Sequence, residues 1–281
     1  MKTIDLHAHS TASDGSYSPT ELAEHAKEIG LSAIALTDHD TVDGLEEFMA
    51  AGRNLHLETI RGMETTVSID DCDVHLVCLF FDPDYPALKT ALQDLAASRD
   101  ERNVNMVKAL EKAGFPISMQ DVKQYGDGAI SRGHIAKALI HSKYHDLTPK
   151  ELIKRYLSKG TVGYVKRRTP DPSEFIRIIH EAGGLVFVAH LHQIDPENPG
   201  HCIDICKRLL ADGADGLETL YCEYDDFWRE QTEAIAREYG VLRSGGSDFH
   251  GIFKPGLALG SGYGDLAVPD SFLEQIKKRL P

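Results

Sequence analysis

An α/β barrel is the fold class this sequence predicts, and three observations predict it. Strand-like apolar segments alternate with amphipathic helical ones over most of the 281 residues. The strand segments, seven in all and mostly joined by helices, imply a largely parallel sheet, which closure into a barrel completes at this length. Histidines and carboxylates gather where these strands end, the edge at which α/β barrels keep their chemistry.

Taken in order, residues 3–6 form a first strand that runs into His7-Ala8-His9. Ser18-Pro19-Thr20-Glu21 is a capping box with Pro at the first helical position, and Gly30 ends that helix. Residues 33–37 are a second apolar strand, stopping at Asp38-His39-Asp40. A helix over 42–51 follows, then strands over 58–63 and 74–81. Residues 86–170 interrupt the alternation with helices over 87–113, 131–141 and 149–157. Such a block reads as a helical cap domain inserted into a barrel made of 1–85 and 171–281. The pattern resumes with a helix over 172–182, a strand over 185–189 and a helix over 202–211. A strand over 216–220, a helix over 226–239 and a strand over 241–244 lead to Gly245-Gly246-Ser247-Asp248-Phe249-His250.

Composition bounds the function. Apolar residues make up 42% and charged residues 26%, as in soluble globular proteins. No apolar run approaches the roughly 20 residues of a membrane span, and no basic, then apolar leader opens the chain. The five cysteines (Cys72, Cys78, Cys202, Cys206, Cys222) lack C-x-x-C spacing and read as free thiols of a reducing, cytoplasmic setting. A net charge of −14 argues against general binding to nucleic-acid backbone. Between Arg132 and Arg168, however, ten Lys/Arg face only Asp146 and Glu151, which suits an anionic small substrate as well as a solvated helical face. Nothing in the sequence speaks to oligomeric state.

The donors at the strand ends point to metal. In extended chain, residues two apart face the same way, so His7 and His9 reach one point. His39 ends the second strand, Glu64 the third, and His190 the strand over 185–189, while Asp248 and His250 follow the last. His75, at the start of its strand, joins them if that strand is an antiparallel partner of the third. These donors outnumber the roughly four to six that one ion takes, so two or three ions share the site and Glu64 bridges. No G-x-S-x-G elbow occurs, and Gly245-Gly246-Ser247-Asp248 lacks the Lys of a phosphate loop. His25, His56, His141, His145, His180 and His201 read as surface or packing residues.

With these residues placed, the sequence resembles the PHP (polymerase and histidinol phosphatase) family of metal-dependent phosphoesterases. The motifs that carry the resemblance are His7-x-His9-Ser10 with Ser13-Asp14-Gly15, Thr37-Asp38-His39-Asp40, Gly62-x-Glu64, His75, Ala189-His190 and Gly246-Ser247-Asp248-Phe249-His250. The resemblance implies a distorted (β/α)7 barrel with a trinuclear site. It would place His7, His9, Glu64 and Asp248 on one divalent ion, Glu64, His75 and His190 on a second, and Asp14, His39 and His250 on a third. Mn, Zn or Fe suits such donors better than Mg.

The inserted block is most similar to the branch acting on nucleoside 3′,5′-bisphosphates, with related members trimming 5′-phosphorylated RNA ends. By that similarity Arg132 and His134 clamp the substrate phosphate and Lys166 contacts it. The implied reaction is hydrolysis of a phosphomonoester by metal-activated hydroxide, with Arg132 offsetting charge. Leu191 stands where the family has Pro. The neighbouring His192 is then either a leaving-group contact or a loop residue. Histidinol phosphate is the alternative substrate, and a metal-binding accessory module the alternative class.

Overall fold

The computed structural model describes residues 2–125 and 130–280. Strand β1 (Thr3–Asp5) is followed by α1 (Pro19–Glu28), whose capping box is formed as expected: Ser18 Oγ accepts the Glu21 N–H, and Glu21 accepts the Ser18 N–H. Strand β2 (Ala33–Leu36) leads to α2 (Leu45–Leu55). That helix starts three residues later than expected, because the Asp43 N–H bonds Thr41 Oγ1 and Leu45 N–H bonds the Val42 carbonyl in a turn.

The third and fourth strands form a hairpin, β3 (Glu58–Ile69) and β4 (Cys72–Leu79). Its two-residue turn, Asp70-Asp71, has φ of 51° and 63°, the left-handed pair that matches strand twist. This corrects one expectation. Glu64 does not end the third strand; pairing with β4 as far as Ile69–Cys72 carries the strand five residues beyond it. His75 likewise lies inside β4, opposite Thr66.

Helices α3 (Pro86–Lys112), α4 (Met119–Lys123), α5 (Arg132–Ser142) and α6 (Pro149–Leu152) come next. The expected helix over 149–157 is not uniform, since Ile153–Leu157 widens into a π-turn. Then follow α7 (Pro172–Glu181), β5 (Leu185–Val188), α8 (Pro199–Ala211), β6 (Gly216–Tyr221), α9 (Asp226–Tyr239) and β7 (Leu242–Gly246). A short β8 (Val268–Pro269) and α10 (Asp270–Lys277), together with α4, escape a reading by periodicity because they are short.

The sheet runs β7-β6-β5-β4-β3-β2-β1-β8. It is parallel except where β4 opposes both its neighbours and β8 opposes β1. The Leu6 N–H reaches the Gly245 carbonyl at 3.1 Å and Ala8 pairs with Phe249, so β1 meets β7 and the barrel is nearly closed. One apolar core fills the barrel and its helix layer. A second, with Met106, Leu110, Ile135, Leu139 and Leu157, lies among the helices between β4 and β5. Helix α3 serves both, giving Leu88 and Leu95 to the first core and Met106 and Leu110 to the second. Among the described residues, no helix is long and apolar enough to cross a membrane.

Candidate metal centre

The chain leaving β1 hydrogen-bonds to its neighbours on both sides, and this presents His7 and His9 together. Thr37 Oγ1 accepts the Ala8 N–H at 3.0 Å, Phe249 accepts the His9 N–H at 2.9 Å, and the Asp248 N–H bonds the His7 carbonyl at 2.8 Å. Gly246 permits this approach, since a Cβ there would lie 2.5 Å from His7 Cβ. His190 and Asp248 sit at φ of 22° and 53°, and strain of this kind is held where function needs it.

The centre is organised around the two oxygens of Glu64. Oε2 lies 3.0 Å from His39 Nδ1, 3.3 Å from His9 Nε2 and 3.4 Å from His7 Nε2. Oε1 lies 2.8 Å from both His75 Nδ1 and His190 Nε2. Asp248 Oδ1 is 3.2 Å from His9 Nε2 and 3.3 Å from His250 Nδ1. Asp14 Oδ1 is 3.2 Å from His250 Nε2, 3.9 Å from His39 Nε2 and 4.0 Å from His9 Nδ1. All nine expected donors therefore converge. Their grouping differs from the family-based one: His9 lies with Asp14, His39 and His250 as well as with His7 and Glu64, His190 lies with His7 and Asp248, and His39 also lies with Glu64 and His75.

Whether these residues suit metal ions is decided by their unpaired atoms. Among the described residues, His7 Nε2, both His9 nitrogens and Asp14 Oδ1 are buried without hydrogen-bond partners. Each such orphan costs about 1–3 kcal/mol, so four aimed at one region are an expense that cations would offset. Electrostatics agree. Burial, helped by His9 and His75, holds His39 down to about 3 against the pull of Glu64 and Asp14, which keeps it in the neutral, ligating form. Burial would raise Glu64, but His75, His39 and His7 outweigh it and keep the carboxylate ionised. Burial likewise opposes charge on His9, yet Asp248 and Glu64 draw it up to about 9, so positive charge is wanted here.

Several supporting residues escaped the sequence reading. Glu218 takes His7 Nδ1 at 2.8 Å on one oxygen and the His190 N–H at 2.8 Å on the other. Asp38 accepts from the Ser10 N–H, Ser10 Oγ and Ser13 Oγ. Asp5 accepts from the His7 and Ser247 N–H groups and Ser247 Oγ. The Tyr221 hydroxyl donates to Asp248 at 2.7 Å and Lys254 Nζ lies 2.5 Å from it. A lone carboxylate inside an apolar strand, as in Thr3-Ile4-Asp5-Leu6 and Gly216-Leu217-Glu218-Thr219, is the signal that could have found two of them. Glu218→Gln weakens the grip on His7 and is expected to lower activity at limiting metal about 10–100-fold, with recovery as metal is raised. Titrating activity against metal concentration checks this.

The expected substrate contacts fare unevenly. Arg132 opens α5, with Nη2 4.0 Å from Asp73 on the hairpin. His134 is buried, and its Nδ1 accepts the Ser131 N–H at 2.9 Å to complete a helix cap, while Nε2 has no hydrogen bond among the described residues. Burial lowers His134 and brings Lys137 down to about 8, while Asp14 pulls both up, so α5 is coupled electrostatically to the donor cluster. Lys166 is paired with Asp71 at the exposed hairpin tip and is not brought to the cluster. His192 stands beside it, with Nε2 3.3 Å from Glu223 and its ring against Tyr221 and Tyr224.

Fold and donor set define a metal-dependent hydrolase, and comparison with known proteins makes it a phosphoesterase. The PHP domain family matches residues 5–165, more than half of the sequence, and the chain belongs to that family. Among curated relatives, a 5′-3′ exoribonuclease of Haemophilus influenzae is 35% identical over 254 residues, covering 89% of this chain and 90% of that protein. A 3′,5′-nucleoside bisphosphate phosphatase of Chromobacterium violaceum is 32% identical over 267 residues, covering 92% and 91%. Among solved structures, a protein from Bifidobacterium adolescentis, provisionally assigned as a metal-dependent phosphoesterase, matches with a TM-score of 0.88 at 31% identity, covering 100% of this chain and 97% of that one.

Proposed function

We propose that the chain hydrolyses a phosphomonoester of a small nucleotide, namely the 3′-phosphate of nucleoside 3′,5′-bisphosphates. The observation that carries this reading is a guanidinium with no anionic partner among the described residues, its one hydrogen bond going to Met106 Sδ. Arg102, half-buried on α3, has no carboxylate within 4 Å among the described residues, and its Nε is unpaired. Burial first, then Arg132, Arg167 and Arg99, bring it down to about 9. Such crowding of like charge calls for an anion. A bisphosphate has two dianionic ends, one for the metal donors and one for these arginines.

In this reading residues 86–170 form a cap that brings Arg102, Arg132 and His134 over the barrel rim. His7, His9, Glu64 and Asp248 would hold one divalent ion, Glu64, His75 and His190 a second, and Asp14, His39 and His250, with His9 in reach, a third. The nitrogen-rich donor set favours Mn, Fe or Zn over Mg. Divalent ions held by these donors would supply Lewis acidity, lowering the pKa of a bound water and offsetting charge on the phosphoryl oxygens. Glu64 fixes the spacing of the donors, Arg132 and His134 orient the phosphate, and His192 stands by the leaving group. Lys166, engaged by Asp71, takes no part.

The test is phosphate release from adenosine 3′,5′-bisphosphate, AMP and histidinol phosphate. The bisphosphate is expected to be the preferred substrate, and Arg102→Met to raise its KM about tenfold or more while the KM for AMP changes little. Equal turnover of all three would overturn the reading. The Haemophilus relative's name favours a second activity on 5′-phosphorylated oligoribonucleotides, which release of 5′-mononucleotides from a short RNA would detect.

A further inference from the structure

A second set of metal donors lies on the far side of the β3–β4 hairpin from the centre described above. Cys72 opens β4 immediately after the Asp70-Asp71 turn, Asp195 lies in the loop between β5 and α8, and His201 is in the first turn of α8. Successive side chains alternate along a strand, so Cys72 faces away from the side on which His75 meets Glu64. One donor atom from each of Cys72, Asp195 and His201 lies within 4.8 Å of the other two, and none belongs to the Glu64 cluster. We propose that Cys72, Asp195 and His201 bind a single zinc ion, with the fourth position open to solvent.

The chemistry supports zinc in particular. Bond lengths of about 2.0–2.3 Å in a tetrahedral site put donor atoms roughly 3.3–3.8 Å apart, which lies between the 2.9 Å of the His201–Asp195 pair and the 4.8 Å that bounds the triad. Thiolate, imidazole and carboxylate together suit a borderline-soft ion and not Mg. The His201 Nδ1 contact with Asp195 Oδ2, at 2.9 Å, accounts for two of the donors by ordinary hydrogen bonding. It leaves the Cys72 thiol without a hydrogen bond among the described residues. Negative charge is plentiful: Asp70 lies 3.6 Å from His201 Nε2, and Asp195, Asp70 and Asp73 all act on Cys72, against Lys159 beside Cys72 and Arg208 on Asp70. Cys202 is held by the Asp195 backbone, its Sγ 3.3 Å from both the nitrogen and the oxygen, so the loop carrying the carboxylate is already fixed. The zinc would pin the hairpin that carries His75 to the loop that begins at His190. It would thereby stiffen two segments that each offer a donor to Glu64 Oε1.

Cobalt substitution tests this independently of the phosphatase reading, because every donor at the Glu64 centre is nitrogen or oxygen. Co²⁺ added to the metal-free full-length protein is expected to give a thiolate-to-cobalt charge-transfer band in the near ultraviolet. The band should persist in Glu64→Ala and vanish in Cys72→Ser, and zinc content should fall by about one equivalent per chain in Cys72→Ser. His201→Ala should weaken the band. Far-ultraviolet circular dichroism confirms that the near-isosteric serine variant is folded. Absence of the band in the wild type, or its survival in folded Cys72→Ser, would overturn the proposal.

Discussion

Glu64→Ala is expected to abolish phosphoester hydrolysis and metal loading together. The carboxylate is the one group facing both halves of the donor cluster, with His7, His9 and His39 on Oε2 and His75 and His190 on Oε1. Alanine removes the shared negative charge and leaves five imidazoles facing one another across a buried gap, with no anionic group between them to join the two halves of the cluster or to offset the charge of the cations they would hold. Losing metal-derived stabilisation of the transition state, worth about 4 kcal/mol or more, lowers kcat/KM by about three decades. Phosphate release and elemental metal analysis on the same preparation measure both effects. A Glu64→Ala protein with full metal content and turnover would remove this residue from the centre. Glu64→Gln keeps the shape and separates loss of charge from loss of volume.

The second large effect concerns stability. Asp40, only 2% exposed, accepts from Arg167 at 2.6 Å and lies 3.5 Å from Arg99; those side chains are themselves 10% and 8% exposed. Thr65 Oγ1 and the Thr66 N–H complete its partners. Truncation would leave two guanidiniums nearly buried without their carboxylate. Removing one member of such a network costs about 3–5 kcal/mol. Asp40→Ala should therefore lower the urea midpoint of the metal-free protein by about 1 M or more. Burial works to raise the Asp40 pKa, but Arg167 and Arg99 outweigh it and hold it below 3.8. A depressed carboxylate stabilises above its unfolded pKa and loses that contribution as pH falls through its folded value. The gap between wild type and variant should thus be full at neutral pH and close only in strong acid. An unchanged midpoint at neutral pH would mean that the two arginines find other partners.

The difference between what the sequence disclosed and what it hid is one of range. Strands such as Ala33–Leu36 and Leu185–Val188 are continuous apolar runs, so their ends, and with them His39 and His190, could be located from local pattern alone. The true length of β3 could not. It depends on pairing with β4 around Asp70-Asp71, a pair less diagnostic of a hairpin turn than Asp-Gly. The residues that orient the donors were hidden for a related reason. Glu218 acts on His7 across 211 positions, and only closure of the barrel brings them together. Motif similarity also says nothing about competing neighbours. Lys166 fits a phosphate-contacting pattern, yet Asp71 on an adjacent hairpin claims it. His134 fits the same pattern and spends one ring nitrogen on a helix cap, a role its position three residues after Ser131 does encode.

Reversal of β4 has a bearing on how substrate choice can change. Two parallel neighbours must be joined by a crossover long enough to return the chain to its starting end, and the joining helix is committed to covering the sheet. Leu79 and Leu185 are instead opposite one another in antiparallel strands, so a tight turn could in principle have joined them. The connection that leaves Phe80 and returns at Gly184 is therefore exempt from the crossover demand, and of its described helices α7 and the first turns of α3 pack on the barrel core. At this one seam the chain can lengthen, shorten or exchange its helices while the nine donors, all outside it, keep their places. Arg99 and Arg167, which meet at Asp40, are buried ties that any such exchange would have to preserve.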